Sequence, residues 1–142
     1  MSAIRIGTSG FAYAQWKPGF YPENLPKTRF LEFYAAHFPT VEIDYTFYRM
    51  PSAKTLGAWM AATGGEFRFA LKASRRITHF ERLRVPSEAL DYLQNVLGGF
   101  HERLGMLLFQ LPPTFRKDTD RLALFLGGLD PKIPAAFEFR HG

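Results

Sequence analysis

The chain has 142 residues, 46% of them hydrophobic, enough to bury about two thirds of its unfolded surface in a globular domain and to exclude disorder. Eighteen Lys and Arg against thirteen Asp and Glu leave a net charge of +5, which favours anionic partners and leaves phosphorylated metabolites and nucleic acid both open. The absence of cysteine removes disulfides, thiol nucleophiles and thiolate metal sites, and makes a cytoplasmic location the expectation.

The first predicted strand covers residues 4–7, with Ile4 and Ile6 on one parity, and runs into the turn Gly7-Thr8-Ser9-Gly10. Met1 to Gly7 leaves no room for a signal peptide, and no apolar run approaches the ~20 residues of a membrane helix, so no membrane partner is expected. A first helix carries Phe30, Phe33, Tyr34, His37 and Phe38 at helical spacing and stops at Pro39. The second strand, 41–45, sets Val41 and Ile43 on one face and Glu42 and Asp44 on the other. Ser52 after Pro51 reads as the N-cap of a second helix burying Leu56, Trp59 and Met60 and ending near Gly64 and Gly65.

The third strand, 67–72, alternates Phe67, Phe69 and Leu71 with a face that ends in Lys72. A third helix is expected with Pro86 in its first turn and Leu90, Leu93, Leu97 and Phe100 as its stripe. The fourth strand, 106–110, places Leu107 and Phe109 opposite Gln110. The fourth helix starts at Thr119 or Asp120, buries Leu122, Phe125 and Leu126, and breaks at Gly127 and Gly128. The fifth strand, 135–139, opposes Phe137 and Phe139 to Glu138, with Arg140 next on the polar parity.

Strands separated by about 20 to 35 residues of helical pattern exclude hairpins and imply parallel βαβ units. In an open sheet covered on both faces each strand is apolar on both parities; in a barrel one face meets helices and the other lines the interior. Only one parity is apolar here, so the expected class is α/β, a partial TIM-type (β/α) barrel of about five parallel strands alternating with helices. Residues 1–142 read as a single incomplete barrel domain, because a complete one takes about 250 residues and eight strands.

Six ordered segments match a known pattern: Ile6-Gly-Thr-Ser-Gly-Phe11 with Trp16 and Phe20-Tyr-Pro22; Val41-Glu-Ile-Asp-Tyr-Thr-Phe-Tyr-Arg49; Phe67-Arg-Phe-Ala-Leu-Lys72; Ile77-Thr-His79; Leu107-Leu-Phe-Gln-Leu-Pro-Pro113; and Phe137-Glu-Phe-Arg-His141. Over residues 3–141 the chain closely resembles the YecE-like family, known as domain of unknown function 72. The resemblance implies a TIM-type barrel and brings no established activity; a description of the family as related to sugar isomerases is itself an analogy. Gly142 stands where relatives usually have proline, and the chain stops where they continue through three more strands. A truncated chain is therefore expected, with open sheet edges through which the isolated chain self-associates.

The polar parity converges at the C-terminal ends of the strands, where barrel enzymes place their sites. Glu42, Asp44, Lys72 and Glu138 are the candidate catalytic groups, as acid, base or Schiff-base lysine. Candidate substrate ligands are Ser9, Tyr48, Arg75, Arg76, His79, Gln110, Arg140 and His141. Glu42, Asp44, Glu138 and His141 are also candidate ligands for a divalent metal, Mg2+ or Mn2+, although no fixed metal-binding spacing is present; the alternative is an ion-pair network with Lys72 and Arg140.

The basic run Arg75, Arg76, His79, Arg82 and Arg84 reads either as an anion clamp or as a solvated loop. Gly7-Thr8-Ser9-Gly10 reads as an anion-binding turn or a sharp turn alone, and Ser9 with His141 as a nucleophile pair. Trp16, Phe20, Tyr21, Tyr45, Phe47 and Tyr48 form either a stacking surface or a cap on the core. Three functions fit: an enzyme on a small polar, sugar-like substrate, phosphorylated or not; a metal-dependent phosphoester hydrolase on nucleic acid; and a non-catalytic module binding an anion or nucleic acid.

Overall fold

The computed structural model describes residues 4–142. Five parallel strands lie side by side in chain order: β1 (Thr8–Ser9), β2 (Thr40–Ile43), β3 (Arg68–Lys72), β4 (Leu104–Gln110) and β5 (Ala135–Glu138). Strand order equal to chain order has no reversal point, which a doubly wound sheet requires. Crossovers of one hand then place the connecting helices on one face, the arrangement of a TIM-type barrel wall. The helices are α1 (Phe30–Ala35), α2 (Tyr45–Tyr48), α3 (Ala53–Ala61), α4 (Glu88–Leu97) and α5 (Thr119–Gly128).

The apolar parity forms the core. Val41, Ile43, Phe69, Leu71, Leu107 and Phe109 are buried against Leu56, Leu90, Leu93, Leu97 and Phe125 from the helices. Trp59 stacks on Phe69 at 5.8 Å between ring centroids, and Phe125 meets Phe109 edge-on at 5.2 Å. In β4 the parity slips by one between Leu104 and Met106, where the register with β3 shifts. Gly105 sits at that bulge, and a Cβ there would lie 3.2 Å from that of Arg68.

Several boundaries differ from the sequence expectation. The first strand forms at Thr8–Ser9 rather than 4–7, and Ile4 and Ile6 are 91% and 72% exposed. Pairing with β2 begins at Thr8 opposite Val41, so the earlier residues have no ladder to join. Gly7 passes so close to Thr40 that a Cβ would fall 2.0 Å from its carbonyl oxygen. The second strand ends at Ile43, and Asp44 instead precedes the one-turn helix α2.

Ser87, not Pro86, starts α4: its hydroxyl accepts from the Leu90 N–H, leaving Pro86 outside the helix. Asp118 caps α5 in the same way through Arg121 N–H, and the helix ends at Gly128, with Gly127 and Gly128 as its last two residues. Leu126 is 47% exposed because it falls off the stripe that buries Phe125. Phe139 lies beyond the end of β5 and is 55% exposed instead of joining the core.

Candidate functional site at the strand C-termini

The polar parity forms two groups at the ends of the strands. At β1 and β2, the Ser9 hydroxyl lies 2.9 Å from Glu42 Oε1 and 3.1 Å from Asp44 Oδ2. It has one proton, so it donates to one carboxylate at a time. Lys72 Nζ stands 3.4 Å from Asp44 Oδ1, an oxygen shut off from solvent that accepts no well-aligned hydrogen bond. The lysine therefore neutralises Asp44 rather than Glu42. Its ammonium also lies 5.0 Å from the centre of the Phe47 ring, and the buried Thr46 hydroxyl donates to the Lys72 carbonyl at 2.7 Å.

At β4 and β5, Gln110 Nε2 donates to Glu138 Oε2 at 3.0 Å, joining the two strand ends. Arg140 Nε donates to the Leu111 carbonyl at 2.8 Å. The expected pairing of the carboxylates with Arg140 is not formed, because the arginine is held by backbone and Glu138 by an amide. The four candidate metal ligands are likewise split: Glu42 and Asp44 belong to the β1–β2 group, Glu138 to the β4–β5 group, and His141 lies beyond the fifth strand. Among the described residues no group of three His, Asp or Glu side chains is placed to share a metal ion. Ser9 and His141 sit at opposite edges of the sheet and form no nucleophile pair.

Between the two groups lies the segment after β3. Its backbone departs from ordinary geometry twice: Arg76–Phe80 winds as a π-helix, and Arg82 and Leu83 take positive φ values of 52° and 60°. Wide turns of this type and left-handed non-glycine residues cost energy and cluster at functional sites. Buried Ile77, Thr78 and Leu83 anchor the segment while Arg75 and Phe80 stay exposed.

His79 is the focus of this segment. Its Nδ1 lies 2.8 Å from Thr78 Oγ1, and its ring meets Phe47 edge-on at 5.1 Å. Burial, then the charges of Arg140, Lys72, Arg82 and Arg75, hold its imidazole below the ordinary histidine range. The Arg75 guanidinium lies 5.5 Å from the ring centres of both Tyr48 and Phe80. Arg76 turns away and pairs with Glu81 at 3.3 Å, so it is not part of this cationic group.

The aromatic residues divide by role. Tyr21 is fully buried, stacks on Phe30 at 4.1 Å and donates its hydroxyl to the Phe11 carbonyl; burial, with the nearby Tyr34, pushes its pKa up to about 12. Trp16 and Phe20 pack beside it as core caps. Tyr45 and Tyr48 are exposed at the mouth. The turn after β1 has no free nest for an anion: Thr8 N–H donates to the Tyr34 hydroxyl and Gly10 N–H to the Glu42 carbonyl. Sequence reasoning missed Phe47 as the ring shared by Lys72 and His79; only the turn of α2 brings it there.

A sequence-ordered parallel sheet of five strands with its polar parity gathered at the strand C-termini is the architecture of a partial TIM-type (β/α) barrel. The sequence profile of "Protein of unknown function DUF72" matches residues 5–142, and the chain belongs to that family. It is 31% identical to UPF0759 protein YunF of Bacillus subtilis, over 97% of this chain and 51% of that protein. UPF0759 protein YecE of Escherichia coli K12 is 31% identical over 78% of this chain and 41% of its own length.

Among solved structures, a DUF72 family protein from Thermotoga maritima is 31% identical, with a TM-score of 0.74, over 95% of this chain and 55% of that one. A second, from Enterococcus faecalis, has a TM-score of 0.75 at 24% identity, over 96% of this chain and 50% of that one, and shares the fold. The chain spans about half the length of the curated relatives it matches. The family has no established activity. No helix among the described residues is long and apolar enough to cross a membrane.

Proposed function

We propose that the mouth of this barrel wall binds a small, polar, sugar-like substrate through a phosphate-class anionic group, and that the full barrel acts on it as an enzyme. The observation that carries the reading is the positive charge that Arg140, Lys72, Arg82 and Arg75 place near the imidazole of His79, with Lys72 and His79 both against the Phe47 ring. Among the described residues Arg75 and Arg140 have no carboxylate at ion-pair distance, which leaves their charge for a ligand. The exposed rings of Tyr48 and Phe80 beside Arg75 offer flat surfaces to a sugar.

The remaining groups suit proton transfer. A histidine kept neutral accepts or donates a proton, or a hydrogen bond, without adding charge beside the arginines. Glu138, oriented by Gln110, and the Ser9–Glu42–Asp44–Lys72 chain supply carboxylates on either side of the mouth. Calorimetric titration with matched pairs of sugars and sugar phosphates tests the reading. The phosphorylated member of a pair is expected to bind, and Arg75→Ala to weaken it about tenfold. Equal affinity for both members removes the anion from the recognition.

A further inference from the structure

A second cationic cleft lies between the segment after β3 and the loop that joins β4 to α5. It has a volume of about 420 Å³ and is lined by Arg82, Thr114, Phe115, Arg116, Lys117, Asp118 and Arg121. Four of those seven side chains are cationic and one is a carboxylate. That carboxylate is already committed: Asp118 Oδ1 accepts from the Arg121 N–H, and Oδ2 lies 3.4 Å from Arg121 Nε. The cleft therefore holds an excess of positive charge in a concave space, where field lines concentrate.

Its central guanidinium is preorganised. Arg82 Nη1 donates to Thr114 Oγ1 at 3.1 Å and Nη2 to the Thr114 carbonyl at 2.8 Å, while its Cζ lies 5.6 Å from the centre of the Phe115 ring. Arg121 Nη1 holds the Arg82 carbonyl at 3.3 Å, so the two arginines are fixed relative to each other. A guanidinium held in place loses less entropy when it meets an anion. Arg82 takes a left-handed backbone, φ 52°, a conformation that costs energy for a non-glycine residue.

We infer that this cleft is a second anion-binding site of the phosphate class, with Arg82, Arg116, Lys117 and Arg121 as its ligands. It goes beyond the reading of the mouth and stands on different residues, Arg82 alone being common to both.

The test is a two-dimensional 15N NMR titration of the 142-residue chain with inorganic phosphate, against sodium chloride at matched ionic strength. Saturable amide shifts over residues 114–121 under phosphate but not chloride are expected. The double substitution Arg116→Ala with Lys117→Ala, at two exposed positions, is expected to weaken binding there about tenfold while shifts over 75–80 persist. Shifts confined to 75–80 overturn this inference and leave the mouth reading standing. Shifts confined to 114–121 support it and count against the mouth. Equal responses to chloride and phosphate over 114–121, or an unchanged affinity in the double variant, reduce the cleft to a solvated basic surface and overturn the inference.

Discussion

His79 is the residue whose protonation the structure controls most visibly. Burial and four nearby cations make its folded-state pKa lower than its usual value of 6.5. The unfolded chain then binds the proton more readily than the folded one. Its contribution to stability is intact above the usual value, falls as the pH drops through that value toward the lowered one, and stays lost below both. His79→Gln is therefore expected to flatten the acid side of a Tm-against-pH profile measured over about pH 5 to 8. Saturating phosphate at the mouth should move the imidazole back up, read from its ring proton shifts. A profile unchanged by the substitution means that His79 does not titrate in this range. The motif Ile77-Thr-His79 was visible in the sequence; Lys72, Arg75 and Arg82 lie in the same stretch of chain, and only Arg140 is brought to it from a distant segment.

At the scale of elements, α3 shows how a helix end is secured from a distant position. The Arg103 guanidinium reaches the carbonyls of Met60, Thr63 and Gly64 at 3.0, 2.9 and 2.7 Å, tying down the last turn of the helix and the residues just beyond it. Removing it by Arg103→Ala is expected to lower stability by about 2 kcal/mol, from chemical denaturation, since hydrogen bonds to a charged donor exceed neutral ones. A loss within experimental error would mean that water replaces the arginine at no cost. Nothing in the sequence around Arg103 announces this role. Ser52 as the cap of α3, by contrast, was legible, because an N-cap acts on a donor three residues away: Ser52 Oγ accepts from Thr55 N–H at 3.1 Å.

Across the whole molecule the sheet keeps two edges, β1 and β5. Beside β5 a groove of about 440 Å³ is lined by Phe115, Leu122, Phe139 and His141 among others, and Phe139 is largely exposed. An open strand edge beside apolar surface favours association. Sedimentation velocity at increasing concentration is expected to show self-association of the 142-residue chain. A single monomeric species throughout would mean that these edges are protected as they stand.

Much of this architecture was written in local patterns. The alternation Val41-Glu-Ile-Asp44 and the stripe Leu90, Leu93, Leu97 and Phe100 determine which faces are buried, because side-chain direction follows from strand and helix periods alone. The polar parity located the strand C-termini as the candidate site for the same reason. What partners those polar groups have depended on register and on the paths of connecting segments. The pairing of Lys72 with Asp44, the splitting of the carboxylates into two groups, the shared ring of Phe47, and the basic cleft behind Arg82 all join residues far apart in the chain. Periodicity carries no information about such distances. They are set when the strands align and the helices pack, so the tertiary structure alone decided which charges meet.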